Sequence, residues 1–448
     1  MIRIVQKIVN KIIGTEKEDN STSDYITKNS IRLFLLHGFS LGIGFVSNFI
    51  LVKMAGVSNY GSYVYVFNLL YLLAGFCLLG VDTLLVKKIP VYENTNLSSE
   101  LKGIIFFGIG FTIIGSIIMA AISGRIAELT GAMGRTGNIN WFVLAFPGLL
   151  FMSLTFINQA SLQGFKKVFL SQVTEKLIKP LLLIGLVLAL FYWKKAIDLS
   201  GLIWANLVAI GIACIITSIF HQQSISANLK KVQSKYIFSE WSYSAMTFFL
   251  LSILAVLNSR IGIFFIGLSK DNDQVGVYNI ISKISEAISF ALVIVNFVLS
   301  PVIAKLFSSN EMEPLQRLIT RASRIVLLFS LPLLVLIIVF KKSILIFFGG
   351  EFLEGQTSLL ILCSGQLINI LCGSAGTLLL MTGHQRFSII ALAVSTVLNI
   401  ALNILLTARL GMDGTAIATA SSLIVWNFIL YFFARTKINI KTTAFGVV

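Results

Sequence analysis

Five ionisable side chains interrupt strongly apolar stretches of this sequence. Arg260 stands alone in one stretch, Lys283 and Glu286 lie three residues apart in the next, and Arg32 and His37 lie at the start of the first. A guanidinium offers a planar pair of donors that suits phosphate and carboxylate oxygens. Residues three apart on a helix share a face. The pattern predicts contacts to an anionic ligand, with Arg260 as the strongest candidate.

Each of these residues also has a structural interpretation. Arg260 can extend its head group towards water or form an internal salt bridge. Lys283 and Glu286 can neutralise each other; otherwise Lys283 contacts the ligand, and Glu286 pairs with Arg260 or takes up a proton. Arg32 is either an interfacial residue or the first contact of an entering anion. His37 is either a hydrogen-bonded structural histidine or a group that titrates near neutral pH.

Carboxamides are a second set of candidate ligand contacts. Asn399 and Asn403 are four residues apart, so a helix would place them on one face. Amides bind sugar hydroxyls, and they also join helices to one another; the sequence leaves both interpretations open. Other amides in apolar stretches are Asn48, Asn158, Gln159, Gln163, Asn296, Gln366 and Asn369.

Twelve apolar stretches position these residues. Hydrophobic residues make up 56% of the chain and charged residues 12%, whereas a soluble domain carries roughly 25% charged residues. Each stretch approaches the roughly 20 residues that a helix needs to cross a bilayer. We therefore expect an all-α integral membrane protein. The stretches are 33–53, 62–86, 103–122, 140–163, 177–193, 200–220, 243–267, 276–305, 324–340, 357–381, 387–407 and 412–434.

The net charge of +16 is better explained by the orientation of the chain in a membrane than by nucleic-acid binding. Of the 35 lysines and arginines, 24 fall in segments on one side of the expected membrane. This bias marks the cytoplasmic side, and it predicts that both termini are cytoplasmic. No nucleic-acid partner is expected.

Three landmarks of the first half recur in the second half at offsets of 215, 219 and 213 residues. Parallel repeats in transporters are related by an axis along the membrane normal. We expect twelve transmembrane helices in two six-helix lobes related by such a pseudo-two-fold axis. The paired landmarks are 59–63 with 274–278, 164–167 with 383–386, and Gly201 with Gly414.

This division predicts five segments. The first is a cytoplasmic N-terminal segment, in which residues 1–13 have the pattern of an interfacial amphipathic helix or of a simple basic tail. The segments are 1–30 (N-terminal), 31–220 (N-lobe), 221–242 (cytoplasmic linker), 243–434 (C-lobe) and 435–448 (cytoplasmic tail).

Two smaller charge clusters are predicted at the cytoplasmic ends of spans. Asp82 precedes Lys87 and Lys88, and a local ion pair is the favoured interpretation. Lys176 and Lys179 lie at the opening of the fifth span, near Glu175, and are interpreted mainly as topology signals. As a secondary role they attract an anionic lipid head group.

The sequence shows no catalytic apparatus. It lacks a G-x-x-x-x-G-K-[ST] phosphate loop, a nucleophile motif and the cysteine or histidine spacing of a metal site. The four cysteines lie in apolar stretches as packing residues. No cofactor, metal or enzyme activity is expected.

The landmarks and their surroundings resemble the polysaccharide-export and oligosaccharide-flippase family of the multidrug/oligosaccharidyl-lipid/polysaccharide exporter superfamily. The similarity extends over most of residues 30–435, and the order of the motifs carries it more than any single motif. The matching residues are 56–63, Leu79–Thr83, Lys87–Lys88, Phe264–Gly267, Gly276–Tyr278, Ser300–Pro301, Phe348–Phe352, 383–386, Asn399, Asn403 and Gly411–Gly414.

The resemblance implies a fold like that of the multidrug and toxin extrusion exporters, and an alternating-access flippase in the bacterial inner membrane. Its substrate would be an undecaprenyl-diphosphate-linked oligosaccharide, the repeat unit of O-antigen or capsule, moved from the inner to the outer leaflet. Membrane lipids are expected partners; H⁺ or Na⁺ is a candidate coupling ion, and a polysaccharide polymerase with its chain-length machinery is a candidate partner. The family often has an acid before the arginine of the seventh span, where this chain has Ser259 before Arg260.

Two alternatives remain at this stage. A cation-coupled multidrug exporter of the same superfamily is one, but some of those carry a carboxylate in the first span, where this chain has Arg32, His37 and Lys53. A membrane enzyme acting on the same lipid carrier is less favoured, because its large soluble loop is missing: the longest outer loops are about 18 and 15 residues (123–140 and 342–356).

Overall fold

The computed structural model describes residues 20–136, 139–225, 229, 232–269 and 271–445, and within those ranges it contains helices and no strand. The predicted amphipathic helix at 1–13 lies outside the described residues. Helices are expected where an apolar chain meets lipid, because only internal hydrogen bonds can satisfy the backbone there.

The described residues of the first half include eight helices. Two of them, α6 and α7, are joined by five residues of π-helix, Thr174–Ile178, and Met133–Arg135 form a short 3-10 turn. The helices are α1 (Asn20–Ala55), α2 (Val57–Leu78), α3 (Val81–Asn94), α4 (Ser98–Leu129), α5 (Trp141–Gly164), α6 (Val168–Val173), α7 (Lys179–Lys194) and α8 (Leu199–Ser224).

Eight more helices lie in the described part of the second half, with 3-10 turns at Ala287–Ser289 and Gly350–Gly355. They are α9 (Phe238–Leu268), α10 (Asn272–Glu286), α11 (Phe290–Ser308), α12 (Met312–Val339), α13 (Lys341–Phe348), α14 (Gln356–Cys372), α15 (Ala375–Met381) and α16 (Gln385–Lys437).

Eleven of the described helical runs are long and apolar enough to cross a membrane. One of them, α16, has 53 residues and is broken at Gly411, whose φ of 54° and ψ of −129° are not helical. The break separates 385–410 from 412–437, so this run contains the last two of the twelve predicted spans. The prediction of an all-helical, multi-pass membrane protein is therefore confirmed.

The described chain divides into two compact units, one formed by Phe39–Gly276 and the other by the residues up to Gly38 together with those from Val277 onward. Helix α9 belongs to the first unit, whereas the predicted C-lobe began at residue 243. The division at 221–242 stays a prediction about the duplicated halves.

Helix α9 is held in its unit at both ends. Near its start, Trp241 is fully buried, and its indole Nε1 donates to the hydroxyl of Tyr92 at 3.0 Å. At its end, the Arg135 guanidinium donates to the carbonyl oxygen of Gly267 at 2.6 Å and lies 4.3 Å from the Tyr65 ring centroid. Burial lowers the pKa of Arg135 from its ordinary value. These contacts fix the helix that carries Arg260.

The break between α2 and α3 depends on a glycine. Gly80 has φ of 79°, and a Cβ atom there would lie 2.4 Å from the carbonyl oxygen of Ala245 on α9. A left-handed backbone and this close approach both favour glycine. The break lets α3 start a new direction, and Asp82 lies in its first turn.

Candidate functional site

Arg260 lies against α2 in the first unit. Its guanidinium carbon is 4.6 Å from the ring centroid of Tyr71, within the range of a cation–π contact. Its carbonyl oxygen accepts a hydrogen bond from the amide of Asn68 at 3.3 Å. Arg260, the strongest candidate for a ligand contact, is thus half-buried. Its guanidinium packs on an aromatic ring of a neighbouring helix rather than on a carboxylate of its own helix.

Tyr71 connects Arg260 to a second charged group. Its hydroxyl donates to Glu175 Oε1 at 2.6 Å, and the ring meets Phe156 edge-on with centroids 5.1 Å apart. A small cavity beside this contact is lined by Tyr71, Glu175 and Lys179. We call Arg260, Tyr71, Glu175 and Lys179 the charge cluster.

The π-helical turn at Thr174–Ile178 places the acidic member of this cluster. Wide turns of this kind inside α-helices are frequent at functional sites, because they change the direction of the side chains they contain. The sequence placed the fifth span at 177–193, whereas the apolar helical run extends over Val168–Trp193. Glu175, Lys176 and Lys179 therefore lie several residues inside this apolar helical run, whereas the sequence placed the two lysines at its opening.

A cavity of about 420 Å³ lies next to the charge cluster, and Tyr71 and Phe156 line both spaces. Helices α2, α3, α5 and α9 form its walls, so it lies within the first unit. We call it the amide cavity, since Gln159 and Gln163 line it. Its other lining residues are Gly75, Leu78, Asp82, Thr83, Val86, Ala160, Ser252 and Val256.

Two residues that line the amide cavity each have a buried side-chain atom without a hydrogen-bond partner among the described residues: Asp82 Oδ1 and Gln159 Nε2. A buried polar group without a partner costs about 1–3 kcal/mol. One atom accepts and the other donates, so both suit a ligand rich in hydroxyl groups. Asp82 was expected to form a local ion pair, and Gln159 was one of many amides in the sequence.

The expected ion pair of Asp82 is absent from the described contacts, so that prediction is wrong. Lys87 instead lies over the ring of Phe248, with its ammonium 4.3 Å from the centroid. Lys88 pairs with Glu240, which raises the pKa of Lys88. Burial raises the pKa of the Asp82 carboxyl above its ordinary value, since no cation offsets the loss of hydration.

Lys283 and Glu286 pair with each other in the second unit. Lys283 Nζ lies 3.5 Å from Glu286 Oε2, and the two side chains are 46% and 59% exposed. This geometry fits the interpretation of a self-neutralised pair on one face of α10.

The two candidates of the first span also belong to the second unit. Arg32 is exposed on α1. His37 is half-buried, and its ring centroid lies 5.3 Å from that of Phe297 on α11.

Asn399 and Asn403 are fully buried on α16. The Asn403 amide donates to both the carbonyl and the side-chain oxygen of Asn399 at 2.8 Å, and Thr407 donates to Asn403 Oδ1 at 3.0 Å. These three hydrogen bonds all lie within α16, so they hold the two buried amides to one face of one helix and join it to no other.

The described residues contain no group of three or more His, Cys, Asp or Glu side chains arranged to hold a metal ion. All four cysteines are buried and unpaired. The charged side chains of the charge cluster can balance a negative charge, and the polar side chains of the amide cavity can hydrogen-bond a hydroxylated molecule.

Comparison with known sequences identifies a family. The sequence model described as "Polysaccharide biosynthesis protein" matches residues 26–307, and a second model, MatE, matches residues 244–405. A curated relative from Haloferax volcanii, described as "Probable low-salt glycan biosynthesis flippase Agl15", is 25% identical over 249 residues. That match covers 55% of this chain and 52% of the relative, so the shared region spans about half of either protein.

Solved structures share the fold. An inward-facing multidrug resistance MATE family transporter of the MOP superfamily superimposes with a TM-score of 0.67 at 15% identity, covering 91% of this chain and 94% of the other. The Lipid II flippase MurJ, in an inward closed conformation, gives 0.66 at 18% identity, covering 90% and 87%. The chain is a multi-pass membrane protein that belongs to the polysaccharide biosynthesis protein family and has the fold of MOP-superfamily transporters.

Proposed function

We propose that this protein is a flippase that moves an undecaprenyl-diphosphate-linked oligosaccharide, a repeat unit of O-antigen or capsule, from the inner to the outer leaflet of the bacterial inner membrane. Both termini would be cytoplasmic, as the distribution of lysine and arginine predicts. The observation that carries the proposal is the position of the charge cluster directly beside the amide cavity in the first unit.

The two sites match two parts of such a substrate. A diphosphate needs cations in a low-dielectric setting, because an unpaired buried anion is costly. Arg260 and Lys179 supply two positive charges against one negative charge from Glu175. Sugars need donors and acceptors, and the amide cavity offers Gln159 and Asp82 atoms without other partners.

The volume of the amide cavity is consistent with a part of the oligosaccharide. About 420 Å³ falls within the roughly 300–1,000 Å³ of small-ligand sites. The lipid tail would remain in the bilayer during transfer. In the alternating-access cycle we propose, the cavity would be open to one side of the membrane at a time.

The relatives support this proposal by what their descriptions say of them: one is a probable glycan biosynthesis flippase and another a Lipid II flippase. The match to the polysaccharide biosynthesis family covers residues 26–307, which include every residue of the charge cluster and of the amide cavity. The coupling ion, H⁺ or Na⁺, and the polymerase and chain-length machinery remain proposed partners.

The test uses a strain that lacks the gene and is complemented with variants. The deletion strain should accumulate complete lipid-linked units on the cytoplasmic leaflet, and the wild-type gene should restore surface polysaccharide. Arg260→Ala should fail to restore it while the protein level stays normal. Arg125→Ala is the matched control, because the Arg125 side chain is 85% exposed and pairs only with Glu128 on its own helix.

The outcomes separate the alternatives. Incomplete or unligated lipid-linked units in the deletion strain would indicate an enzyme acting on the carrier and would contradict the flippase. A normal amount of surface polysaccharide in the strain with Arg260→Ala would show that Arg260 is not needed for transfer.

A multidrug exporter is the second candidate function, favoured by the MatE match over residues 244–405 and by the unpaired Asp82 carboxyl, which suits a cationic compound. Deletion should then sensitise cells to cationic dyes without affecting surface polysaccharide. The opposite pattern supports the flippase.

A further inference from the structure

A second cavity, of about 480 Å³, lies in the first unit away from the charge cluster. Helices α4, α5 and α8 form its walls, together with Ile225 and Leu229 beyond the end of α8. We call it the α4 groove. It opens beside side chains that face outward, including Phe106 at 52% and Ile113 at 37% exposure. On a membrane protein, such a surface faces lipid.

The α4 groove is polar at one end and apolar along its length. Lys102, near the start of α4, and His221, at the end of α8, line the polar end; Ile105, Ile109 and Ile113 follow along α4. Lys102 and Ile113 are separated by eleven residues, roughly 16 Å of helix. That is about half of the roughly 30 Å hydrocarbon thickness of a bilayer. A charged head group followed by a single acyl chain has the same profile.

His221 provides a buried nitrogen at the polar end that a ligand could hydrogen-bond. Its side chain is 4% exposed, and Nε2 has no hydrogen-bond partner among the described residues. An imidazole nitrogen can donate a hydrogen bond when protonated at that position. A phosphate oxygen in the groove would satisfy it and remove the desolvation penalty of an unpaired buried group.

Lys102, Asn158 and Ser218 also line the groove, and each forms a hydrogen bond. The Lys102 ammonium donates to the carbonyl oxygen of Val232 at 2.8 Å, which holds the charge at the rim. The Asn158 amide donates to the Ser218 hydroxyl at 2.9 Å, which closes the wall between α5 and α8. The charge at the rim therefore has the sign that attracts an anionic head group.

We propose that the α4 groove binds an anionic phospholipid of the surrounding leaflet, with its phosphate at Lys102 and His221 and one acyl chain along Ile105, Ile109 and Ile113. This lipid is not the transported molecule, whose proposed contacts lie in the charge cluster and the amide cavity. The cytoplasmic leaflet, on which the lysine and arginine bias places this end of α4, carries anionic lipids that attract basic side chains.

The test measures lipid binding by the purified full-length protein. Phosphatidylglycerol and phosphatidylcholine are titrated separately into delipidated protein in detergent, and the melting temperature and the number of retained lipids (by native mass spectrometry) are recorded. Phosphatidylglycerol should raise the melting temperature by several degrees and leave at least one lipid bound, because a ligand that binds only the folded state stabilises it. Phosphatidylcholine should do so at higher concentration only.

Two variants address the two ends of the groove. Lys102→Met should weaken phosphatidylglycerol binding by about tenfold, the loss expected for one charge-assisted hydrogen bond. Ile109→Trp should fill the apolar part and abolish retention of the lipid. Their controls are Lys167→Met, an exposed lysine outside the groove, and Ile118→Trp, an outward-facing residue of α4 that is 51% exposed. Both controls should bind like the wild type.

Three results would overturn the proposal: equal stabilisation by phosphatidylcholine, equal stabilisation by glycerol phosphate without acyl chains, or full lipid retention in Ile109→Trp. A variant that fails to fold is replaced by His221→Phe, which removes the unpaired nitrogen while keeping an aromatic ring. Substrate transfer is not measured, so this test is independent of the flippase proposal.

Discussion

Gly61 on α2 and Gly276 on α10 lie in direct contact. A Cβ atom on Gly276 would lie 3.4 Å from the Cα of Gly61 and 3.0 Å from the carbonyl oxygen of Val57. The two glycines occupy equivalent positions in the paired landmarks 59–63 and 274–278 of the predicted repeat. The same position of each predicted copy therefore lies at one contact, which is too tight for a side chain on Gly61.

Gly61→Ala should prevent normal folding. Its Cβ would lie 1.7 Å from the carbonyl oxygen of Asn272, so the backbone must move, and overpacking of this kind typically costs about 1–3 kcal/mol or more. Size-exclusion chromatography and thermal unfolding of the detergent-solubilised protein measure the loss. Gly42→Ala is the control: no atom lies within 4 Å of its Cβ position, so alanine should stabilise α1 by up to about 1 kcal/mol. Equal behaviour of the two variants would contradict the close contact.

The spans were predictable from sequence, whereas the arrangement of side chains within them was not. Length and hydrophobicity suffice to place a helix in lipid, and Gly411 even marked the gap between the last two spans. Tyr71 lies between leucines in sequence, so only the rotation of α2 could reveal its contacts with Arg260 and Glu175. The π-helical turn at Thr174–Ile178 leaves no sequence pattern, so the sequence could not place Glu175 against Tyr71.

The polar residues of the second half show a second limit. Asn399 and Asn403 were predicted to share a face, and the structure has them bonded to each other at 2.8 Å. Sequence spacing alone cannot tell whether such a face meets a cavity or another helix. Asp82 shows the opposite case. Its neighbours in sequence suggested an ion pair, but Lys87 contacts Phe248 and Lys88 pairs with Glu240 instead.

Tyr71→Phe should uncouple Glu175 from Arg260 while keeping the aromatic ring. The lost hydrogen bond joins a hydroxyl to a carboxylate at 2.6 Å, and bonds to charged groups contribute about 1.5–3 kcal/mol. We expect surface polysaccharide to fall several-fold in a complemented deletion strain at normal protein level. Tyr71→Leu, which also removes the cation–π contact, should lower it further.

The comparison that decides the role of Tyr71 is a double mutant. If the hydroxyl acts through Glu175, then Tyr71→Phe combined with Glu175→Gln should be no worse than the more severe single variant. Additive losses would show that the two groups act independently.

Asp82 should make stability depend on pH. Burial raises its pKa in the folded state, so below the ordinary aspartate pKa of about 3.9 both states hold the proton and stability is fully present. As pH rises from there through the raised folded pKa, the unfolded chain ionises more readily and stability is lost. Asp82→Asn carries no titrating proton and should remove this part of the slope.

Melting temperatures measured from pH 4 to pH 8 check this expectation. The wild type should lose stability relative to Asp82→Asn as pH increases, while Glu313→Gln, at an exposed residue that pairs with Arg317, should follow the wild type closely. Parallel curves for wild type and Asp82→Asn would show that the carboxyl is not desolvated in the folded protein.

The C-terminal segment should stabilise the second unit through backbone hydrogen bonds. Lys441 donates its backbone N–H to Gln316 Oε1, and Gln316 Nε2 donates to the carbonyl oxygen of Lys441, both at 2.8 Å. The Ser323 hydroxyl donates to the carbonyl oxygen of Thr442, and the fully buried Thr442 hydroxyl donates to that of Cys372, both at 2.6 Å.

Gln316→Leu leaves two backbone groups without partners and should destabilise the protein by about 1–3 kcal/mol. Thr442→Val should have a smaller effect in the same direction. Thr436→Val is the control, since its hydroxyl bonds only within α16 at an exposed position. Thermal unfolding measures the stability, and limited proteolysis after residue 437 shows whether the segment detaches. Resistance of Gln316→Leu equal to that of the control would mean that the segment contributes nothing to the fold.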